Sequence, residues 1–198
     1  MAKPYRRILF IVPVALALFG PAAAQTTIGN DEMLQSLTSA AKAAPPGLTA
    51  AILREAAVQH MKNNPGMPQT WAPLGVRLQD LAQINVQIQF ALNSPIIRPQ
   101  SYETIGSIAD ALHHPILSRY KFVVTGNTDA TGDRAANLKL SQARADAVVR
   151  ALTSTFHVDP NRLEAVGLGE EALLDVNKPD DPVNRRVQLI NIGPYLPK

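Results

Sequence analysis

Two charged residues of this 198-residue chain stand where charge needs a reason. A helical pattern runs from about Asn137 to Phe156. At 100° per residue, Arg144 falls about 40° from Leu140, between Ala151 at about 20° and Val148 at about 80°. A guanidinium in the middle of an apolar stripe keeps its charge and requires an anionic or strongly polar partner. Asp129 is the candidate, because it ends the run Gly126-Asn127-Thr128-Asp129 just before the loop that feeds this helix. An anion and a cation side by side at the end of a strand suit a zwitterionic ligand, its ammonium on Asp129 and its carboxylate held in bidentate fashion by Arg144. A free amino acid has both groups, and so does an amino acid within a peptide stem. The same two residues alternatively form a buried salt bridge that orders the loop, and spacing alone does not separate the two readings.

The other reactive side chains form no catalytic pattern. His60, His113, His114 and His157 share no metal-ligand spacing with carboxylates, no serine sits in a G-x-S-x-G elbow, and there is no cysteine nucleophile. The expectation is binding without turnover, with no cofactor and no metal.

The elements that must position Asp129 and Arg144 follow from periodicity. Ile84, Val86, Ile88 and Phe90 alternate with Asn85, Gln87 and Gln89, which describes a strand with one buried face. Pro99 opens a helix that carries Ile105, Ile108, Ala109 and Leu112 and stops at His113-His114-Pro115. Phe122-Val123-Val124 is a short central strand halted by Gly126, and Leu163 to Val166 and Val187 to Ile192 are the last two strand candidates. The order β-α-β-α-β-β predicts an α+β domain, a mixed sheet with its helices on one side.

Three regions are expected: an export signal at 1–24, a helical extension with a proline-rich linker at 25–76, and the domain at 77–198. Lys3, Arg6 and Arg7 precede an apolar run from Ile8 to Phe19, and Ala22-Ala23-Ala24 supplies small residues for cleavage before Gln25. Secretion to the periplasm is the expectation. Loss of that segment removes three basic residues and no acidic one, which leaves Lys+Arg equal to the 16 Asp+Glu. A neutral balance disfavours nucleic acid as a partner. With no cysteine there is neither a disulfide framework nor a lipid-modified thiol. Two short helices are read between Asn30 and Asn64, the second with an apolar stripe through Leu48, Ala51, Ile52, Ala56 and Val58; Pro65, Pro68, Trp71 and Pro73 read as an extended linker. A second envelope protein is the expected partner of the extension.

Four ordered blocks carry a resemblance. They are Gly126-Asn127-Thr128-Asp129-Ala130-Thr131-Gly132, Asn137-Leu138-Lys139-Leu140-Ser141-Gln142-Ala143-Arg144-Ala145, Arg162-Leu163 with Gly167-Leu168-Gly169-Glu170, and Asn184-Arg185-Arg186-Val187. Together, over about residues 84 to 193, they resemble the OmpA C-terminal domain family, which includes the peptidoglycan-associated lipoproteins. The resemblance implies non-covalent binding of peptidoglycan through the diaminopimelate of its stem peptide, at or near the outer membrane. By the same likeness Asp129 holds the ammonium group, Arg144 takes the carboxylate, Asn137 stands near the pocket or caps the helix, and Arg186 assists by charge or faces solvent. Gly126, Gly132, Gly167 and Gly169 are read as turn and close-approach residues. Asn127 replaces the usual histidine or tyrosine, and Ala91 stands where an acidic residue is common. The rival reading is a periplasmic protein-interaction module with a degenerate wall site.

Overall fold

The computed structural model describes residues 29–39, 42–64 and 77–195. The export signal and the proline-rich stretch with Trp71 lie outside the described residues. The elements are helices α1 (Asn30–Thr38) and α2 (Ala50–Asn63), strand β1 (Gln83–Val86), helix α3 (Ser101–His113), strand β2 (Tyr120–Asn127), helix α4 (Arg134–Arg150), and strands β3 (Leu163–Gly169) and β4 (Val187–Pro194). The sheet order is β1-β4-β2-β3. Strands β2 and β3 are parallel, as the α4 crossover between them requires, and β4 runs antiparallel to both β1 and β2. This is the expected mixed α+β sheet.

Alternation along the strands divides the core in two. Phe122, Val124, Val187, Leu189, Ile84 and Val86 pack with Ile105, Ile108 and Leu112 of α3 and with Val148 and Leu152. The neighbours Val123, Val166, Leu168 and Ile190 face the other way, against Leu48, Leu53 and Ala57. Helices α3 and α4 thus share one face, and α2 of the extension closes the opposite one. Helix α1 joins the α3 side through Met33 and Leu37.

The stripe of α2 differs from the expected one. Ala50, Leu53 and Ala57 are buried, whereas Ala51 is exposed and Ile52, Ala56 and Val58 are half-buried. In an alanine-rich helix hydropathy barely distinguishes the faces, so the sheet beneath decides. Thr49 accepts from the Ile52 amide at 3.3 Å, and the Ala50 amide donates to Glu164 Oε2 at 2.7 Å, which pins the helix start to β3.

Helix α4 also turns a partly different face inward, since Val148 of the expected stripe is buried and Leu140 is not. Its buried line is Asn137, Ser141, Ala145 and Val148, and Arg144 lies half-buried beside it. The cause is backbone proximity. A Cβ at Gly126 would stand 2.2 Å from the Ser141 carbonyl oxygen, and one at Gly167 would stand 2.1 Å from the Gln142 nitrogen. Small residues must therefore line the contact. The free amides of edge strand β3 are satisfied there, Gly167 donating to Gln142 Oε1 at 2.7 Å and Gly169 to Ser141 Oγ at 2.8 Å. Gly167→Ala is expected to lower unfolding stability by at least about 1–3 kcal/mol, the range for overpacking, because the obstructing atoms are helix backbone. Urea unfolding followed by circular dichroism checks this; a midpoint equal to that of the wild type would show that α4 stands farther from β3.

Candidate functional site

An open cleft of about 700 Å³ runs along the top of α4, between its first turns and the segment that continues β1. Phe90, Leu92, Asp129, Asn137, Arg144 and Arg185 are among its walls.

The loop after β2 sets Asp129. Amides of Asn127, Thr128 and Ala130 donate to the carbonyls of Arg186, Gly169 and Pro179 at 3.0, 2.9 and 2.9 Å. The Asp129 Oδ1 atom accepts from the Thr131 amide at 3.2 Å, an Asx turn that orients the carboxylate. Gly132 adopts φ +95, a conformation that a side chain would strain.

Asn137 is the clamp of this loop. Its Nδ2 donates to Glu170 Oε2 at 2.7 Å, to the Thr131 carbonyl at 3.1 Å and to the Asp129 carbonyl at 3.3 Å. The cap of α4 is Asp133, whose Oδ1 accepts from the Ala136 amide at 2.7 Å. Asn137 is therefore not the helix cap; it ties the aspartate loop to the end of β3.

The expected contact between Asp129 and Arg144 is not formed. Arg144 donates from Nε to the Ser94 carbonyl at 3.2 Å and lies 4.9 Å from the centre of the Phe90 ring. Its guanidinium is held below the usual arginine range, first by burial and then by repulsion from Arg185, with attraction by Asp129 in partial offset. The Asp129 Oδ2 atom instead pairs with Arg185.

Arg186 is placed away from the cleft's open wall, only 4% exposed. It donates to the Ala172 carbonyl at 2.8 Å, to Gln188 Oε1 at 3.2 Å and to the Asn184 carbonyl at 3.3 Å, while its buried Nε has no partner in the described structure. Burial pushes this guanidinium down to about 10. The two arginines part because successive residues of an extended chain point to opposite faces. Val187 belongs to the α4 side, so Arg185 does too, and Arg186 goes with Gln188. That parity was available in the sequence and would have selected Arg185.

Asn127 likewise points away, its Nδ2 donating to Thr125 Oγ1 at 3.1 Å and Gln188 Oε1 at 3.2 Å. Ala91 lines the cleft without adding charge.

Glu170 sits behind Asn137, and its carboxyl is held above the ordinary glutamate range; burial is the main cause, opposed by the Asn137 hydrogen bond and by Arg134. A carboxyl raised on folding favours the native state at low pH and loses that contribution as pH rises through the folded value. Glu170→Gln keeps an acceptor for Asn137 and removes the charge. It is expected to raise the melting temperature at pH 7, with the gain vanishing as pH falls below the ordinary carboxylate range. A destabilised Glu170→Gln at pH 7 would mean that the carboxylate charge itself is required.

No helix among the described residues is long and apolar enough to cross a membrane.

Known proteins resemble this chain over the domain that holds the cleft. The OmpA family model matches residues 89–186. Outer membrane porin F of Pseudomonas fluorescens is 33% identical over 110 residues, which cover 54% of this chain and 33% of that protein. Outer membrane protein A of Bordetella avium is 29% identical over 111 residues, covering 55% of this chain and 56% of that protein. Among solved structures, the peptidoglycan-associated lipoprotein from Burkholderia pseudomallei is 34% identical, covers 52% of this chain and 87% of its own, and superposes with a TM-score of 0.44. The match to porin F spans about a third of that relative's length. Both relatives are named as outer membrane proteins. Through the domain at residues 89–186, which contains Asp129, Asn137, Arg144 and Arg185, this chain belongs to the OmpA family.

Proposed function

We propose that this protein binds peptidoglycan non-covalently and without turnover, taking the diaminopimelate of the stem peptide into the cleft and so helping to anchor the envelope. One observation carries the reading: Asp129, Arg144 and Arg185 share a single open cleft, whose charged lining is one anion with three cations, Arg98 being the third. A carboxylate offers about four lone-pair positions, so Asp129 accepts a ligand ammonium while Arg185 remains on Oδ2. Arg144 has one nitrogen engaged by the Ser94 carbonyl, and the rest of its fork meets the ligand carboxylate. Asn137 contributes indirectly, by fixing the loop of Asp129. Arg186 acts from beneath, as a buried charge rather than a contact. The family name and the peptidoglycan-associated neighbour support the wall as ligand. Periplasmic location rests on the signal-like N-terminus.

Cosedimentation with purified insoluble sacculi tests the proposal. The wild type is expected to pellet with the sacculi, and Asp129→Ala and Arg144→Ala are expected to stay largely in the supernatant. Equal pelleting of all three proteins would sink the site and leave the interaction-module reading.

A further inference from the structure

The cleft does not end at the charged residues. Asn85, Gln87 and Gln89 are exposed in alternation along the outer edge of the sheet, since β1 is its terminal strand. Gln87 and Gln89 line the cleft of Asp129 and Arg144, whereas Asn85 and Gln83 line a second groove of about 380 Å³. The two grooves are thus lined by residues only two apart, Asn85 in β1 and Gln87 just beyond it. The second groove is walled by Gln35, Ser36, Gln79, Gln83 and Asn85, with Lys42 its one charged residue. Gln79 and Gln83 are held in place by the carbonyls of Leu173 and Leu78 at 3.2 and 2.9 Å.

A surface of amides and hydroxyls that both donate and accept, without carboxylates, matches a neutral ligand rich in hydroxyl and acetamido groups. It does not match a polyanion, which would require a row of cations. Gln87 and Gln89 line the same cleft as Asp129 and Arg144, so a stem seated there by its diaminopimelate has these amides along its course.

We infer that the edge of β1 and the adjoining amide-lined groove bind the glycan of the wall, so that the protein reads sugar and peptide together. The inference rests on the wall-binding reading above. Its test uses two soluble ligands, the stem tetrapeptide alone and the same peptide on its N-acetylated disaccharide, titrated calorimetrically into the full mature chain. The wild type is expected to bind the sugar-bearing ligand about tenfold more tightly, the worth of one or two net hydrogen bonds. The exposed double variant Gln35→Ala/Asn85→Ala, on the second groove and outside the cleft, is expected to lose that factor and to bind the sugar-free peptide as the wild type does. Equal wild-type affinity for the two ligands would overturn the glycan site while leaving the peptide site standing. A preference retained in the double variant, or an equal loss for both ligands, would overturn it too. Binding of neither ligand by the wild type would remove the wall reading itself.

Discussion

Glu171→Ala is expected to remove about 3–5 kcal/mol of stability, the usual cost of breaking a buried ion pair from one side. Glu171 is 1% exposed. It receives Arg134 of α4 through two bonds of 2.5 and 2.6 Å, and its Oε2 lies 2.6 Å from His60 Nδ1 on α2. Arg134 also donates to the Asn64 carbonyl at the end of α2. One carboxylate thus joins α2, which covers one sheet face, to the start of α4 on the other. Removing it takes from a largely buried guanidinium the carboxylate that receives two of its hydrogen bonds. A typical domain has only about 5–15 kcal/mol in all, so the loss is a large share. Urea unfolding measures it, and the double variant Arg134→Ala/Glu171→Ala is expected to recover part, because both members of the pair are then gone. A single variant within about 0.5 kcal/mol of the wild type would show the network to be idle. By contrast, the Asp129–Arg185 pair has a half-exposed arginine, and solvent-screened pairs of that kind contribute about 1 kcal/mol or less.

The largest effect on binding is expected at Asp129 and Arg144. Truncating one member of a hydrogen-bonded charge pair in an interface costs about 2–5 kcal/mol. At about 1.4 kcal/mol per factor of ten, that weakens binding of a diaminopimelate-containing peptide by about 30-fold or more. The two variants should fail differently. Asp129→Ala loses the site for the ammonium and leaves Arg144 and Arg185 unopposed, so it should cease to distinguish the peptide from one whose side-chain amine is acetylated. Arg144→Ala should retain that distinction and lose sensitivity to amidation of the side-chain carboxylate. Identical profiles for both variants would sink the assignment of separate roles. Arg186→Ala should register mainly in unfolding, since its donors go to the carbonyls of Ala172 and Asn184 and to Gln188.

Much of the site was legible before any coordinates. Asp129, Asn137 and Arg144 do line one cleft, and the block spacing around them sufficed to pick them out. The argument that led to Arg144 nevertheless rested on a stripe that the fold buries only in part, at Val148 and Ala151 but not at Leu140. Hydropathy counts Asn137 and Ser141 as polar, yet both are buried, because Gly126 and Gly167 bring helix and sheet backbones close enough that only small or hydrogen-bonded side chains fit. Arg144 reaches the cleft because it flanks that contact.

Local pattern alone determined the β-α-β-α-β-β order, since periods of two and 3.6 residues and proline or glycine stops are properties of neighbouring residues. It also determined which blocks converge, since strand β2, its loop and α4 are consecutive in the chain. Three things were decided only by the tertiary structure. The partner of Asp129 is Arg185, 56 residues away. Helix α2 lies across the far side of the sheet, held by Leu53, Ala57 and the Glu171 network. Strand β1 and the segment that continues it line two neighbouring grooves. Each depends on which surfaces meet when distant segments pack, and packing selects among faces that the sequence leaves nearly equal in hydrophobicity.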